Sequence, residues 1–191
     1  DGHSLLAAST IPNCVAYDPA YGYELAVIIH DGMRRMYEAQ ERVFYYITVM
    51  NENYVQPALP GGAEEGILRG MYRLRSGAPQ KRHVQLLGSG TILREVLAAA
   101  EMLEKDFQVS SDVWSVTSFS ELRRDGIDCE RWNMLHPAES PRHSYVATSL
   151  AGQAGPCIAA TDYMRIVADQ IRPWVPGRYV VLGTDGYGRS D

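Results

Sequence analysis

Cysteine is scarce in this chain: Cys14, Cys129 and Cys157 are the whole set. An odd number at wide spacing excludes a disulfide framework and favours a reducing compartment. Long hydrophobic runs are missing too. No apolar stretch approaches the roughly 20 residues of a membrane-spanning helix, so no membrane partner is expected. Basic clustering is also absent. The 18 Lys and Arg are interspersed with 23 Asp and Glu, for a net charge of −5, which leaves no basic stripe for nucleic acid. The histidines His3, His30, His83, His136 and His143 include no close metal-ligand pairing with each other or with a cysteine. There is no internal repeat and no low-complexity tract. An opening Met is absent as well: the chain begins Asp1-Gly2-His3-Ser4 and runs straight into apolar residues. That start reads as an active-site loop rather than a natural beginning or a signal peptide, and predicts a piece of a larger enzyme.

What is present is an ordinary globular mix, 46% hydrophobic and 21% charged over 191 residues, enough to bury a core. Helix-period and strand-like segments alternate, which predicts an α/β fold. Residues 13–17 read as a strand stopped by Asp18-Pro19. Residues 20–37 read as a helix with Tyr21, Leu25, Ile28, Ile29, Met33 and Met36 inward and Glu24, Asp31, Arg34 and Arg35 outward. Residues 43–50, β-branched and aromatic, read as a strand covered on both faces. A Pro/Gly/Asn-rich break follows at 51–62, then helical turns at 63–70, a short strand at 71–75 and a polar turn at 76–83. A domain boundary is therefore expected between Asn51 and Gln80.

The second half has a clearer rhythm. Strands are expected at 84–87, 112–117, 157–160 and 178–182. Helices are expected at 91–107, 120–124 (interrupted by Gly126), 144–150 and 163–174. Crossovers of this length imply parallel pairing in a right-handed, doubly wound sheet.

Gly88-Ser89-Gly90 stands where a strand hands over to a helix, the place of a dinucleotide fingerprint. The third Gly is missing, since position 93 is Leu, and no acidic residue follows the next strand at ribose distance, so a tight turn in a Rossmann-like domain is the reading. Gly183-Thr184-Asp185-Gly186-Tyr187-Gly188-Arg189 lacks P-loop spacing and reads as an ordered surface or interface loop. Cys129 and His136 are separated by seven positions, and nothing marks the thiol as activated. Trp132, Met134 and Leu135 read as packing. His30, beside Asp31, reads as solvated or as a satisfied core residue. Asp1 and His3, a carboxylate and an imidazole in a Gly loop, could orient a polar substrate or move a proton.

Several segments together resemble one family: DGHSLLAASTIPNC, YDPAYGYELAVIIHDGMRRMY, VFYYITVMNENYVQPALPGGAEEGI, VQLLGSGTILREV, SDVWSVTSFSELRRDGIDCERWNMLHP and LGTDGYGRSD. In this order they are similar to homodimeric bacterial pyruvate dehydrogenase, the thiamine-diphosphate-dependent first component of its complex. The resemblance covers essentially the whole chain. It implies that residues 1–57 end a middle, pyrimidine-binding domain, that 58–79 link, and that 80–191 form most of a Rossmann-like, mostly parallel transketolase-type C-terminal domain. It implies oxidative decarboxylation of pyruvate, with acetyl transfer to lipoyl groups of a dihydrolipoyl acetyltransferase component, in a cytoplasmic homodimer. Thiamine diphosphate and Mg2+ would be held by residues outside this chain, and the activating Glu would lie upstream. Rival readings are a 2-oxoglutarate dehydrogenase or transketolase relative, and a non-catalytic α/β dimerisation or interaction domain. Related transketolases carry Glu-Asp-Gly-Pro-Thr-His facing substrate. Asp1-Gly2 matches its Asp-Gly, and His3 falls two positions before its His; the family's own active-site His is expected upstream of Asp1. Asp1 and His3 are thus the substrate-proximal candidates, and the fragment alone is expected to be inactive.

Overall fold

The computed structural model describes residues 2–78 and 80–186. A short helix, α1 (Ser4–Ser9), leads into β1 (Cys14–Tyr17), which stops at Asp18-Pro19. Helix α2 spans Gly22–Met33 and continues as a π-helical turn, Arg34–Glu38, before β2 (Phe44–Ile47) pairs parallel with β1. Then come α3 (Glu64–Arg69), β3 (Met71–Arg75), β4 (His83–Gly88), α4 (Ile92–Phe107), β5 (Ser110–Val116), α5 (Phe119–Leu135), α6 (Tyr145–Leu150), β6 (Cys157–Met164), α7 (Ile166–Asp169) and β7 (Tyr179–Thr184). The larger sheet has the order β3-β5-β4-β6-β7. Among the described residues β3 alone runs antiparallel; the other pairings are parallel. The expected mostly parallel α/β domain is what forms. Its edge strand β3 comes from within 58–79.

Local chemistry explains the clearest elements. Leu93, Val96 and Ala100 fall on one face of α4 and are buried against the sheet, while the helix ends on Gln108 with φ 55°. Strand β5 is buried along its whole length, as a central strand covered on both faces must be. One core cluster joins the two ends of the chain: Leu5, Ala8, Cys14 and Ala16 pack with Met71, Leu87, Trp114, Val146 and Ile171.

Four expectations are corrected. The strand at 43–50 is only Phe44–Ile47, and it is not covered on both faces: Phe44 is 45% and Tyr46 37% exposed. Tyr45 and Ile47 turn inward, and because the outward residues are also aromatic, the alternation cannot be read from composition. Helix 20–37 starts two residues later, and its Ile29 and Met33 are exposed whereas Glu24 is wholly buried. The helix at 163–174 is instead the end of β6, the single turn α7 and a 3-10 turn, Arg172–Trp174. Pro173 has no amide to donate, so a long helix there is not supported.

Gly126 does not interrupt α5, which runs unbroken through it. A Cβ at that position would lie 2.4 Å from the Trp174 ring, and Trp174 is fixed by its Nε1–H donating to Glu130 Oε1 at 2.9 Å. Gly126 is a packing glycine. Ala would gain roughly 1 kcal/mol of helix propensity and lose about 1–3 kcal/mol to overpacking. Gly126→Ala is therefore expected to lower the urea midpoint with a shift in tryptophan emission; an unchanged or higher midpoint would refute the packing role.

Candidate functional site

The parallel strands of both sheets end at one cleft. In the larger sheet β4 sits between β5 and β6, all parallel. The crevice beyond the carboxyl ends of β4 and β6 is the switch point, where such sheets bind ligands. Here it is a cleft of about 300 Å³. Gly90-Thr91 after β4 and Asp162-Tyr163 at the end of β6 form one wall; Asp18-Pro19 after β1 and the segment Thr48 to Glu52 after β2 form the other.

Asp18 is the joint. Its amide donates to Thr117 O at 2.7 Å, and its carbonyl accepts from the Gly90 amide at 3.0 Å. Thr48 Oγ1 donates to Asp18 Oδ1 at 2.5 Å. Oδ2 and the hydroxyl of the adjacent Ser89 are both buried and make no hydrogen bond of proper geometry. Gly90, at φ +49°, lets this carboxylate pack directly against the turn; a Cβ there would stand 2.5–2.6 Å from its oxygens. Burial pushes the Asp18 carboxyl up to about 6. The nearby Thr48 and Ser89 hydroxyls oppose that shift, and the Asp162 and Glu24 carboxylates add to it.

Beneath the cleft lies a second carboxylate, Glu24, fully buried. Its Oε2 accepts from the amides of Ala20 at 2.6 Å and Tyr21 at 3.1 Å. Its Oε1 accepts from Tyr72 Oη at 2.7 Å and Ser115 Oγ at 2.6 Å. The Tyr72 hydroxyl in turn meets Tyr23 Oη at 2.5 Å. Glu24 thus caps α2 and ties it to β3 and β5. Reading it as an outward residue missed this role. The available signal was a Glu at the third position of a helix that starts after Pro19.

The opening loop reaches the same strand ends. The Met164 amide, two residues beyond Asp162, donates to Gly2 O at 2.8 Å. His3 is the N-cap residue of α1, its carbonyl accepting from Ala7 N at 2.9 Å. Asp1 lies outside the described residues, as do Tyr187, Gly188 and Arg189 of the last glycine-rich loop. Within that loop, Asp185 pairs with Arg165 at 3.2 Å.

Other candidates separate. His136 stacks on Trp132 at 4.4 Å and its Nδ1 contacts Trp132 O at 2.8 Å. Burial and the Asp125 carboxylate push the Cys129 thiol up, so this is not an activated Cys–His pair. The cysteines are free, and His30 is exposed. At the opposite ends of the strands, Asp112 gathers the Gly77 amide at 3.0 Å, Gln85 Nε2 at 3.3 Å and His83 Nε2 at 3.3 Å. Burial opposes its charge, but these donors outweigh it and hold the carboxyl below its ordinary range. No described helix is long and apolar enough to cross a membrane.

A mostly parallel sheet with one antiparallel edge, joined to the end of a second parallel unit, has counterparts among known proteins. Residues 70–191 match the family described as transketolase-like TK C-terminal domain, and the chain belongs to that family. Residues 1–57 match the pyruvate dehydrogenase E1 component middle domain. Over its full length the chain is 65% identical to the pyruvate dehydrogenase E1 component of Pseudomonas aeruginosa and 61% identical to that of Escherichia coli K12. It spans 22% of the length of each. Among solved structures, transketolase from Campylobacter jejuni superposes with a TM-score of 0.61 at 17% identity, covering 98% of this chain and 24% of that one. A split-gene transketolase, an inactive β4 tetramer, superposes at 0.58 and 17% identity, over 98% of this chain and 54% of that one.

Proposed function

We propose that this chain is the portion of a thiamine-diphosphate-dependent pyruvate dehydrogenase that ends its pyrimidine-binding domain and builds its C-terminal domain. The observation that carries this reading is 65% identity to such a component across the whole chain. The relatives at 52–65% identity carry the name pyruvate dehydrogenase E1 component, whereas the transketolase likeness is at 16–17% and bears on fold. The parent reaction is oxidative decarboxylation of pyruvate with acetyl transfer to lipoyl groups of the acetyltransferase component, in a cytoplasmic homodimer. In domain terms, residues 1–57 close the middle domain. The stretch 58–79 links to the C-terminal domain at 80–191, and the pairing of β3 with β5 supports counting β3 with that domain's sheet.

The residues here do not fit the cofactor's metal–diphosphate end. Among the described residues no group of three His, Cys, Asp or Glu could hold a metal ion, and the Gly-Asp-Gly…Asn metal-diphosphate pattern does not occur. No step through the cofactor is assigned to this chain. Its contribution is the opening loop, in which Gly2 is tethered by Met164 to the strand ends and the His3 imidazole can orient a 2-oxoacid or move a proton, with Asp1 as the second substrate-proximal residue by resemblance.

Two measurements test this. The 191-residue chain is expected to bind no thiamine diphosphate in the micromolar range with Mg2+ by calorimetry, and to decarboxylate no pyruvate. In the protein extended to the length of its relatives, pyruvate turnover is expected, and His3→Ala should lower kcat/KM about 10²-fold, the scale of a lost proton-transferring or orienting group. An extended protein inactive on pyruvate would refute the activity; full turnover by the His3 variant would refute the role of the loop.

A further inference from the structure

The far ends of the strands, opposite the cleft, carry a second groove of about 430 Å³. Half-buried Val84, Val109 and Pro156 supply its apolar part, and exposed Lys81 and Arg82 its charge. No Asp or Glu is among its described lining residues. Elsewhere Arg34, Arg69, Arg73, Arg94 and Arg172 each meet a carboxylate. Lys81 and Arg82 have no such partner among the described residues, and neither has exposed Arg178, whose carbonyl accepts from the Cys157 amide, next to Pro156, at 2.9 Å. The fold thus gathers unpaired cations about one apolar groove, although the whole chain carries a net charge of −5.

The groove is also held in shape. The Arg82 carbonyl accepts from the Ser110 amide at 3.1 Å and from Ser110 Oγ at 3.3 Å. His83 Nδ1 meets the same hydroxyl at 2.6 Å, and its Nε2 lies 3.3 Å from Asp112 Oδ2. On the other wall Gly155, at φ +82°, rests on β4, and a Cβ there would run into the His83 carbonyl. Walls fixed beforehand lose little freedom on binding. Chemistry then narrows the occupant. Exposed cations alone hold a lone small anion weakly, and a chain of net negative charge repels nucleic acid and anionic membranes at long range. A peptide that sets carboxylates beside an apolar side chain meets both parts of the groove. The apolar side chain covers Val84, Val109 and Pro156, and the carboxylates reach Lys81 and Arg82.

We propose that this groove docks an acidic peptide segment of a partner protein, with Lys81 and Arg82 pairing with its carboxylates and Arg178 flanking them. The surface is separate from the cleft at the other strand ends. It does not rest on the parent activity, and its test reads binding, not turnover.

The probe is a short capped peptide alternating Glu and Leu. It is titrated by calorimetry into the 191-residue chain and into the chain extended to the length of its relatives, with amide shifts followed in the short chain at Val84, Val109 and Gly155. Saturable binding to both is expected, with shifts centred on those amides. Replacing Glu by Gln, or Leu by Ser, in the peptide should in each case weaken binding at least tenfold. Lys81→Glu combined with Arg82→Glu should weaken the Glu/Leu peptide at least tenfold. Arg42→Glu, at an exposed cation outside the groove, should change it less than twofold. Circular dichroism verifies that both variants fold, and the control peptides decide the matter on the unaltered chain. No saturable binding, equal binding of either control peptide, or an equal loss in the Arg42 variant would overturn the proposal. So would inorganic phosphate binding as tightly as the peptide, which makes the site one for a small anion. Self-association that the double variant abolishes would make the occupant a second copy and overturn it as well. Loss of binding in the extended chain, with binding kept by the short one, would show the groove covered by the added region, the last outcome that sinks the idea.

Discussion

Replacing Glu24 by Ala is expected to cost about 3–5 kcal/mol of stability, the scale of breaking a buried, fully paired charge. The argument is one of donors left behind. Two backbone amides, of Ala20 and Tyr21, and two hydroxyls, of Tyr72 and Ser115, all point at this carboxylate. Each unmet buried donor costs about 1–3 kcal/mol, and the cavity left by the side chain adds to that. Glu24→Gln sharpens the test because it keeps size and shape. Its amide nitrogen would have to face either the two backbone amides or the two hydroxyls. The hydroxyls can turn to accept, so the loss should be smaller, about 1–3 kcal/mol. Urea unfolding of the two variants gives the ranking. Should Glu24→Ala fall within 0.5 kcal/mol of the parent, roughly the scatter of neutral surface changes, the network does not hold the two parts of the chain together.

Asp18→Asn should act in the opposite direction at neutral pH. The Asp18 carboxyl stands at about 6 in the fold against an ordinary value of 3.8. Below the ordinary value both folded and unfolded chains carry the proton, and the fold has the full benefit of a neutral buried acid. Between that value and about 6 the unfolded chain has lost the proton while the fold keeps it, so stability falls as pH rises. Above about 6 the buried group is ionised too and the loss is complete, about 3 kcal/mol for a shift of this size. Asn cannot ionise, and its carbonyl can still accept from Thr48. The variant should therefore be roughly 3 kcal/mol more stable than the parent at pH 7.5 and nearly equal to it at pH 4. Paired denaturation curves at both values decide the matter; a variant less stable at pH 7.5 would mean that Asp18 is held charged by partners stronger than its burial. A group kept at a cost to the fold is the usual mark of a binding position.

These two acids also mark where sequence reading succeeded and where it stopped. The strand ending at Asp18-Pro19, the amphipathic face of α4 and the strand–turn–helix at Gly88-Ser89-Gly90 were all legible, because each rests on spacing within a few residues. The chemistry of Asp18 and Glu24 was not. Glu24 sits on a helix whose outer face carries Asp31 and Arg34, and its partners Tyr72 and Ser115 lie 48 and 91 residues away. Asp18 reads as a strand stop because Asp-Pro is one, and nothing local reveals that its carboxylate packs against Gly90, where a Cβ would clash. Gly126 failed for a related reason: a glycine that breaks a helix and one that admits an indole have the same letter, and the indole belongs to Trp174. His3 was a candidate from its Gly loop beside Asp1, and the resemblance of the whole chain then placed it near substrate.

The bond from the Met164 amide to Gly2 O has a practical consequence. Pairing between β6 and β7 shifts register between Ala160 and Met164, and at the end of that irregularity the Met164 amide turns to the opening loop. The loop cannot swing away without baring that one N–H to water, while the next amide, Arg165, stays bonded to Thr184 O. Deuterium uptake at Met164, measured against Arg165 as an internal clock, would time the excursions of a loop whose own side chains carry no such label.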